Sequence, residues 1–255
     1  MHRLVWIMWC LPLLANGQVS DLQQSAAKGD AKAMLELSEK YLFGFGVAEN
    51  EDSAAYWLNT ALATGDPEAA YLIGVLKTGM DLSASDFKEG ITLLEQAAEK
   101  ELPSAYWTLS EIYRTIGSGS TDRYYDLTKA LDLAEKAAEL GIVEAMRYSG
   151  NAYMAGSGTE PNDSIGIVWL EKAGFKDDVE SQLALGNHYI SRTSPQPFVA
   201  LTWYRAVNDN RRANADQRSL AKIGVHEVDH MLREVQNHAF RASGLPEAFQ
   251  YQIRK

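Results

Sequence analysis

Apolar residues fall along this chain in short blocks at helical spacing, and the blocks themselves recur. Between residues 33 and 43 the apolar positions include 33, 34, 37, 41 and 42, which trace one face of a helix. Gly44 and Gly46 then break the pattern; either can take a positive φ and let the chain reverse within a few residues. Asn50 and Asp52 supply side-chain acceptors for the free amides at a helix start. Ala54, Trp57, Leu58, Ala61 and Leu62 mark a second helical face over 53–63, and Thr64-Gly65-Asp66-Pro67 closes it, with Pro67 suited to the first turn of the next helix. The predicted unit is two helices joined by two tight turns.

Three residue classes repeat with this unit. Tyr41, Lys77, Tyr113, Tyr153 and Tyr189 are spaced 36, 36, 40 and 36 residues apart. Trp57, Leu93, Leu133, Trp169 and Trp203 form a large apolar series, and Ala33, Ala69, Ala105, Ala145 and Ser181 a small one. A period of this length marks a solenoid, in which each unit buries its apolar face only against its neighbours. The small residues allow close helix crossing and the large ones fill the grooves beside it. The fold class expected is therefore all-α, an α-solenoid of about five helix-turn-helix repeats. The array spans 33–213, divided 33–68, 69–104, 105–144, 145–180 and 181–213. An N-terminal cap at 18–32 precedes it, and a capping helix and tail at 214–255 follow. Such stacks usually bind other molecules and seldom do chemistry.

The motif Ala-x-x-x-Leu-Gly-x-x-Tyr-x-x-Gly-x-Gly-Val, a short acidic loop, then Ala-x-x-Trp-Leu-x-x-Ala-x-x-x-Gly resembles the Sel-1-like repeat, a relative of the tetratricopeptide repeat. It is clearest at Ala33–Gly65, at Ala145–Gly174 and from Leu185-Gly186 to Tyr189. Lys77 departs from it, as do four extra residues near Ser118–Tyr125 and Thr193-Ser-Pro-Gln-Pro197 in place of the glycine loop. The resemblance implies a right-handed solenoid serving as an adaptor or scaffold for another protein or peptide. It also implies that the first helix of each pair lines a concave face. In that register the inward positions hold Leu35, Glu39 and Leu42; Tyr71, Val75 and Thr78; Trp107, Glu111 and Arg114; Arg147, Asn151 and Met154; and Leu183, Asn187 and Ile190. Trp107, Arg114, Arg147, Asn151 and Asn187 are the candidate partner-binding residues, since aromatic and arginine anchors with amide donors suit a peptide groove. Tyr124 and Tyr125, at the tip of the insertion, are a second candidate contact.

Charge narrows the partners. With 24 Lys and Arg against 34 Asp and Glu the net charge is −10, which disfavours nucleic acid and anionic lipid. The first residues read as a secretory leader. Arg3 precedes the apolar run Leu4–Leu14, and Ala15-Asn16-Gly17 offers a cleavage site that leaves Gln18 first. The run is about half the roughly 20 residues that a spanning helix needs. The only cysteine, Cys10, lies inside this leader behind Met8 and Trp9, where lipid attachment wants small residues. The expectation is an exported bacterial protein, periplasmic or secreted, without disulfides, cofactor or a stable membrane anchor after cleavage.

One motif points to chemistry. His226-Glu227-Val228-Asp229-His230 matches His-Glu-x-x-His, which on a helix sets two imidazoles one turn apart beside a carboxylate, as a zinc hydrolase requires. His226 and His230 are thus a weak candidate metal pair. Arg233 and Gln236 stand where an extended zinc motif wants Gly and His, and His238 projects from another side of the helix. The stripe Leu220, Gly224, Val228, Met231, Val235, Ala239 is expected to be this helix's buried face, with the histidines toward solvent. The preferred function is an exported adaptor that is not an enzyme. A zinc hydrolase through His226, Glu227 and His230 is the first alternative, and a binder of cell-wall glycan or peptide the second.

Overall fold

A computed structural model describes residues 19–79, 83–115, 125–191 and 193–242, with side chains up to 238. The leader and Tyr124 lie outside the described residues. The described residues are helical, with no strand among them. Two compact units meet in sequence between Asp126 and Leu127. The first holds α1 (19–27), α2 (Ala31–Phe43), α3 (Glu51–Ala63), α4 (Pro67–Lys77), α5 (Ala84–Glu99) and α6 (Pro103–Arg114). The second holds α7 (Leu127–Glu139), α8 (Val143–Ala155), α9 (Asp163–Gly174), α10 (Val179–Ser191), α11 (Pro197–Asp209) and α12 (Ala215–Ala242).

Within each unit consecutive helices pack as pairs, α2 with α3, α4 with α5, α8 with α9 and α10 with α11. The cap expected at Asn50 forms and Asn162 repeats it in the second unit, while Asp52, the other expected acceptor, stands within the first turn of α3. Asn50 and Asn162 accept from the backbone amides of Ser53 and Ile165 at 2.8 and 3.1 Å, satisfying donors that the helix starts leave unpaired. A second bond spans the loop in four of the repeats. The residue ahead of the second helix donates its amide to the carbonyl of the repeating Tyr position: Asn50 to Tyr41, Asp126 to Tyr113, Asn162 to Tyr153 and Gln196 to Tyr189, all at 2.7–2.8 Å. These bonds span 9, 13, 9 and 7 residues. The four extra residues of the third repeat fall in sequence between Tyr113 and Asp126, the two residues joined by this bond.

The Tyr positions also link one pair to the next. The Tyr189 hydroxyl donates to Glu171 Oε1 at 3.1 Å, Gln23 Nε2 donates to the Tyr41 hydroxyl at 3.2 Å, and Tyr153 bonds the Glu135 side chain. Each partner stands 18 residues before its tyrosine, on the preceding helix. Lys77, in the same slot, instead reaches forward to Glu89 at 2.9 Å and Asp86 at 3.5 Å. The hydrogen bond and charge of Glu89 hold its ammonium above the usual lysine pKa.

Small residues set the crossings. A Cβ on Gly150 would stand 2.7 Å from Leu170 Cγ and 2.9 Å from the Gly166 carbonyl, so α8 and α9 approach almost backbone to backbone. The cores that result are aliphatic. Leu37 and Leu94 in the first unit, and Leu170 and Leu185 in the second, are fully buried. Each contributes about 1.5–3 kcal/mol of transfer free energy. Trp169 and Trp203 are buried as expected.

The buried face of α12 differs from the expected stripe. Ala221, Gly224 and Val228 are buried and Val225 and Leu232 pack against the core, whereas Leu220 and Val235 are 56% and 63% exposed. The register follows Tyr204 of α11, whose ring lies where a Cβ of Gly224 would be. That contact turns position 221 inward and position 220 out.

Candidate functional site

Among the described residues of the first unit there is an apolar groove. It runs along α2 and α4, the first helices of two successive pairs, and has a volume of about 940 Å³. Leu42 and Phe43 end α2, Phe45 follows in the glycine turn, and Leu72, Val75 and Leu76 come from α4. These six side chains are 38–65% exposed. Gly44 holds the turn that presents them: its φ of 70° places it in the left-handed region and ends α2, so Phe43 and Phe45 flank it with ring centroids 5.6 Å apart. Apolar side chains gathered this way on a surface mark a site of association. Five of the six inward positions expected for these two helices, Leu35, Glu39, Leu42, Tyr71 and Val75, line the groove.

In the first unit Trp107 is half-buried on α6, with the Arg114 guanidinium 5.7 Å from its ring centroid; Arg114 also pairs with Glu111 at 3.1 Å. Tyr125 is 41% exposed. In the second unit Arg147 pairs with Asp178 at 3.2 Å and Glu180 at 2.6 Å, tying α8 to the start of α10. Asp178 also accepts from the Ser181 amide at 2.8 Å. Asn187 accepts a 2.7 Å bond from the Tyr204 hydroxyl, and Asn151 is exposed on α8. The second unit holds a smaller apolar pocket of about 640 Å³, where Phe175 and Phe198 stand beside Trp203. Its polar walls are engaged: Gln182 donates to the Gly174 carbonyl, and Glu171 accepts from Tyr189.

His226, Glu227 and His230 are exposed on α12. Burial pushes the Tyr204 phenol up to about 12, and the charge of Glu227 adds to the shift. Among the described residues no group of three or more His, Cys, Asp or Glu side chains is disposed to hold a metal ion.

The repeating geometry has known counterparts. The Sel1 repeat family matches residues 31–66, 67–102, 105–142 and 143–174, together more than half of the chain. Chitin synthase regulatory factor 3 of Schizosaccharomyces pombe is 32% identical over 121 residues, covering 47% of this chain and 13% of that protein. An F-box protein of Arabidopsis thaliana is 27% identical over 146 residues, covering 56% of this chain and 38% of that protein. The chain thus spans well under half the length of either relative. Among solved structures, a Sel1 repeat protein from Oxalobacter formigenes superposes with a TM-score of 0.63 at 22% identity, over 75% of this chain and 78% of that one, a likeness of fold. The chain belongs to the Sel1 repeat family, whose repeats typically mediate protein–protein interaction. The pair α10–α11 lies beyond the matched residues and packs like the others.

Proposed function

We propose that this protein is an exported adaptor that holds a partner protein on the α2–α4 groove. The observation that carries the reading is the set of six exposed apolar side chains around an unfilled groove, on the first helices of two successive repeats. Exposing them serves no folding purpose, because each would be more stable covered. Export rests on the order of positive, apolar and small residues in 1–17. No helix among the described residues is long and apolar enough to cross a membrane.

The test pairs the chain with a groove variant. Crosslinking in the native compartment followed by capture should recover a defined partner with the natural chain and lose it with Leu42→Asp/Leu76→Asp, while the melting temperature stays within a degree or two. Equal recovery with both forms would place the contact elsewhere. Sequencing of the purified native protein should give Gln18 as its first residue, and a chain still beginning at Met1 would remove the export part of the reading.

A further inference from the structure

The groove is not uniform along its length, and its chemistry selects among partners. From Leu42 onward on α2 and from Tyr71 onward on α4 its lining residues are apolar. The charged ones precede them: Lys32, Glu36, Glu39 and Lys40 along α2, the last of these in its final turn, and Glu68 in the first turn of α4. Glu36 is paired with Lys40 at 3.5 Å. Glu39 and Glu68 are exposed carboxylates, and Lys32 is the remaining cation on this wall. The wall therefore has a net charge of −1, in a chain whose overall charge is −10. An acidic segment approaching it meets repulsion from both the local carboxylates and the whole chain, whereas a basic one is attracted at both ranges.

Resting on the docking reading above, we infer that the occupant of the groove is a peptide segment of another protein with apolar anchors at one end and lysine or arginine at the other. Two or three aliphatic or aromatic side chains enter between the ends of α2 and α4. The basic side chains reach back to Glu39 and Glu68. From the level of Glu39 to the level of Phe43 is about one helical turn, or about 5–6 Å along the axis, and from Glu68 to Leu76 about 12 Å. A segment of about four residues in extended form, or two helical turns, covers that distance. Recognition is then by polarity along the segment, and not by a single pocket.

Three fluorescein-labelled peptides of 12 residues test this on the full chain by anisotropy. All carry the same Leu-x-x-Phe-Leu anchors, followed by a run of Lys and Arg, of Gln, or of Glu. The basic peptide should bind at least tenfold more tightly than the acidic one in 50 mM salt. That advantage should shrink several-fold at 500 mM salt and in Glu39→Gln/Glu68→Gln, with the Gln peptide unaffected by that variant. Leu42→Asp/Leu76→Asp should abolish binding of the basic and neutral peptides. Equal affinity for the three peptides, still lost in the leucine variant, would overturn the charge selection and leave the groove as a docking site. Affinity indifferent to the leucine variant, or no binding by any peptide, would overturn both. Sedimentation of the chain alone as a dimer that Leu76→Asp makes monomeric would show that a second copy is the occupant, and would overturn the inference.

Discussion

The two units use the same helix pairs and differ in what stands on the first helix of each pair. In the first unit those positions on α2 and α4 are mostly aliphatic or aromatic, and Leu42, Val75 and their neighbours meet solvent. In the second unit the corresponding positions on α8 and α10 are largely occupied by partners within the unit. Arg147 is held by Asp178 and Glu180, Asn187 by Tyr204, and Met154 and Ile190 pack against the core. At these positions α8 and α10 are mostly engaged within their unit, whereas α2 and α4 leave apolar side chains exposed. A repeat frame that tolerates substitution at these positions lets a single array carry both a closed structural segment and an open one, because each pair depends chiefly on its nearest neighbours.

The sharpest test of that contrast compares two large side chains. Tyr204, 1% exposed, fills the space between Gly186 and Gly224, and no smaller residue keeps α11 against both α10 and α12. Tyr204→Ala should cost about 3–5 kcal/mol, as other large aromatic truncations in cores do. Leu76→Ala in the open groove, at 65% exposure, should stay within about 0.5 kcal/mol. Urea unfolding of both variants decides it, and comparable losses would mean that the groove residues support the first unit after all.

The same tyrosine gives the closed unit a signature at high pH. Its folded pKa of about 12 lies above the ordinary value near 10, so between those values the folded chain keeps a proton that the unfolded chain has lost. Stability must then fall as pH rises from 10 toward 12, with a slope of up to about 1.4 kcal/mol per pH unit from this group, and that contribution is fully present below pH 10. Tyr204→Phe should flatten this part of a stability–pH curve. A curve with unchanged slope would assign the alkaline loss to other groups.

A smaller effect is expected from Arg147. Its pairs are partly exposed, with Asp178 the more covered of the two carboxylates, so Arg147→Ala should cost about 1 kcal/mol, less in high salt. Glu39→Ala, across the comparison, should be neutral to folding. A salt-independent loss of several kcal/mol at Arg147 would point to a packing role for its stem.

Much of this is legible in the sequence alone. The period places the helix pairs, Asn50 marks a helix start, and the aromatic series puts Trp169 in the core, because each of these depends on local chemistry repeated many times. Five of the groove positions on α2 and α4 coincide with the register that the repeat resemblance implies. Residue type alone favours the arginines and Trp107 as anchors over the leucines of the first repeat. Exposure separates the two cases, and it depends on neighbours that a single sequence does not display. Phe43 and Phe45 read as the end of a helix, and only the left-handed turn at Gly44 shows that they line a groove. On α12 the apolar residues fit two adjacent stripes, and the position of the Tyr204 ring chose between them.

The last prediction tests whether the frame is common to both units. The turn between successive repeats places one residue in the left-handed region: Gly29 at φ 93°, Gly65 at 80°, Glu101 at 58°, Gly141 at 105° and Asp177 at 65°. The spacing again follows the period, 36, 36, 40 and 36 residues. A Cβ added at Gly29, Gly65 or Gly141 would meet nothing within 4 Å, so backbone conformation, and not space, is what the slot demands. An L-residue there costs about 1–2 kcal/mol, of which the extra freedom of glycine in the unfolded chain takes back about 0.5–1. Glu101→Gly should therefore stabilise the first unit by about 0.5–1 kcal/mol. Asp177→Gly should gain less, because a short polar side chain tolerates this conformation better than a glutamate does. Both are read from urea midpoints at constant m-value. If Glu101→Gly destabilises the chain, the turn before α6 is held by the glutamate side chain, and the two units do not share this part of their frame.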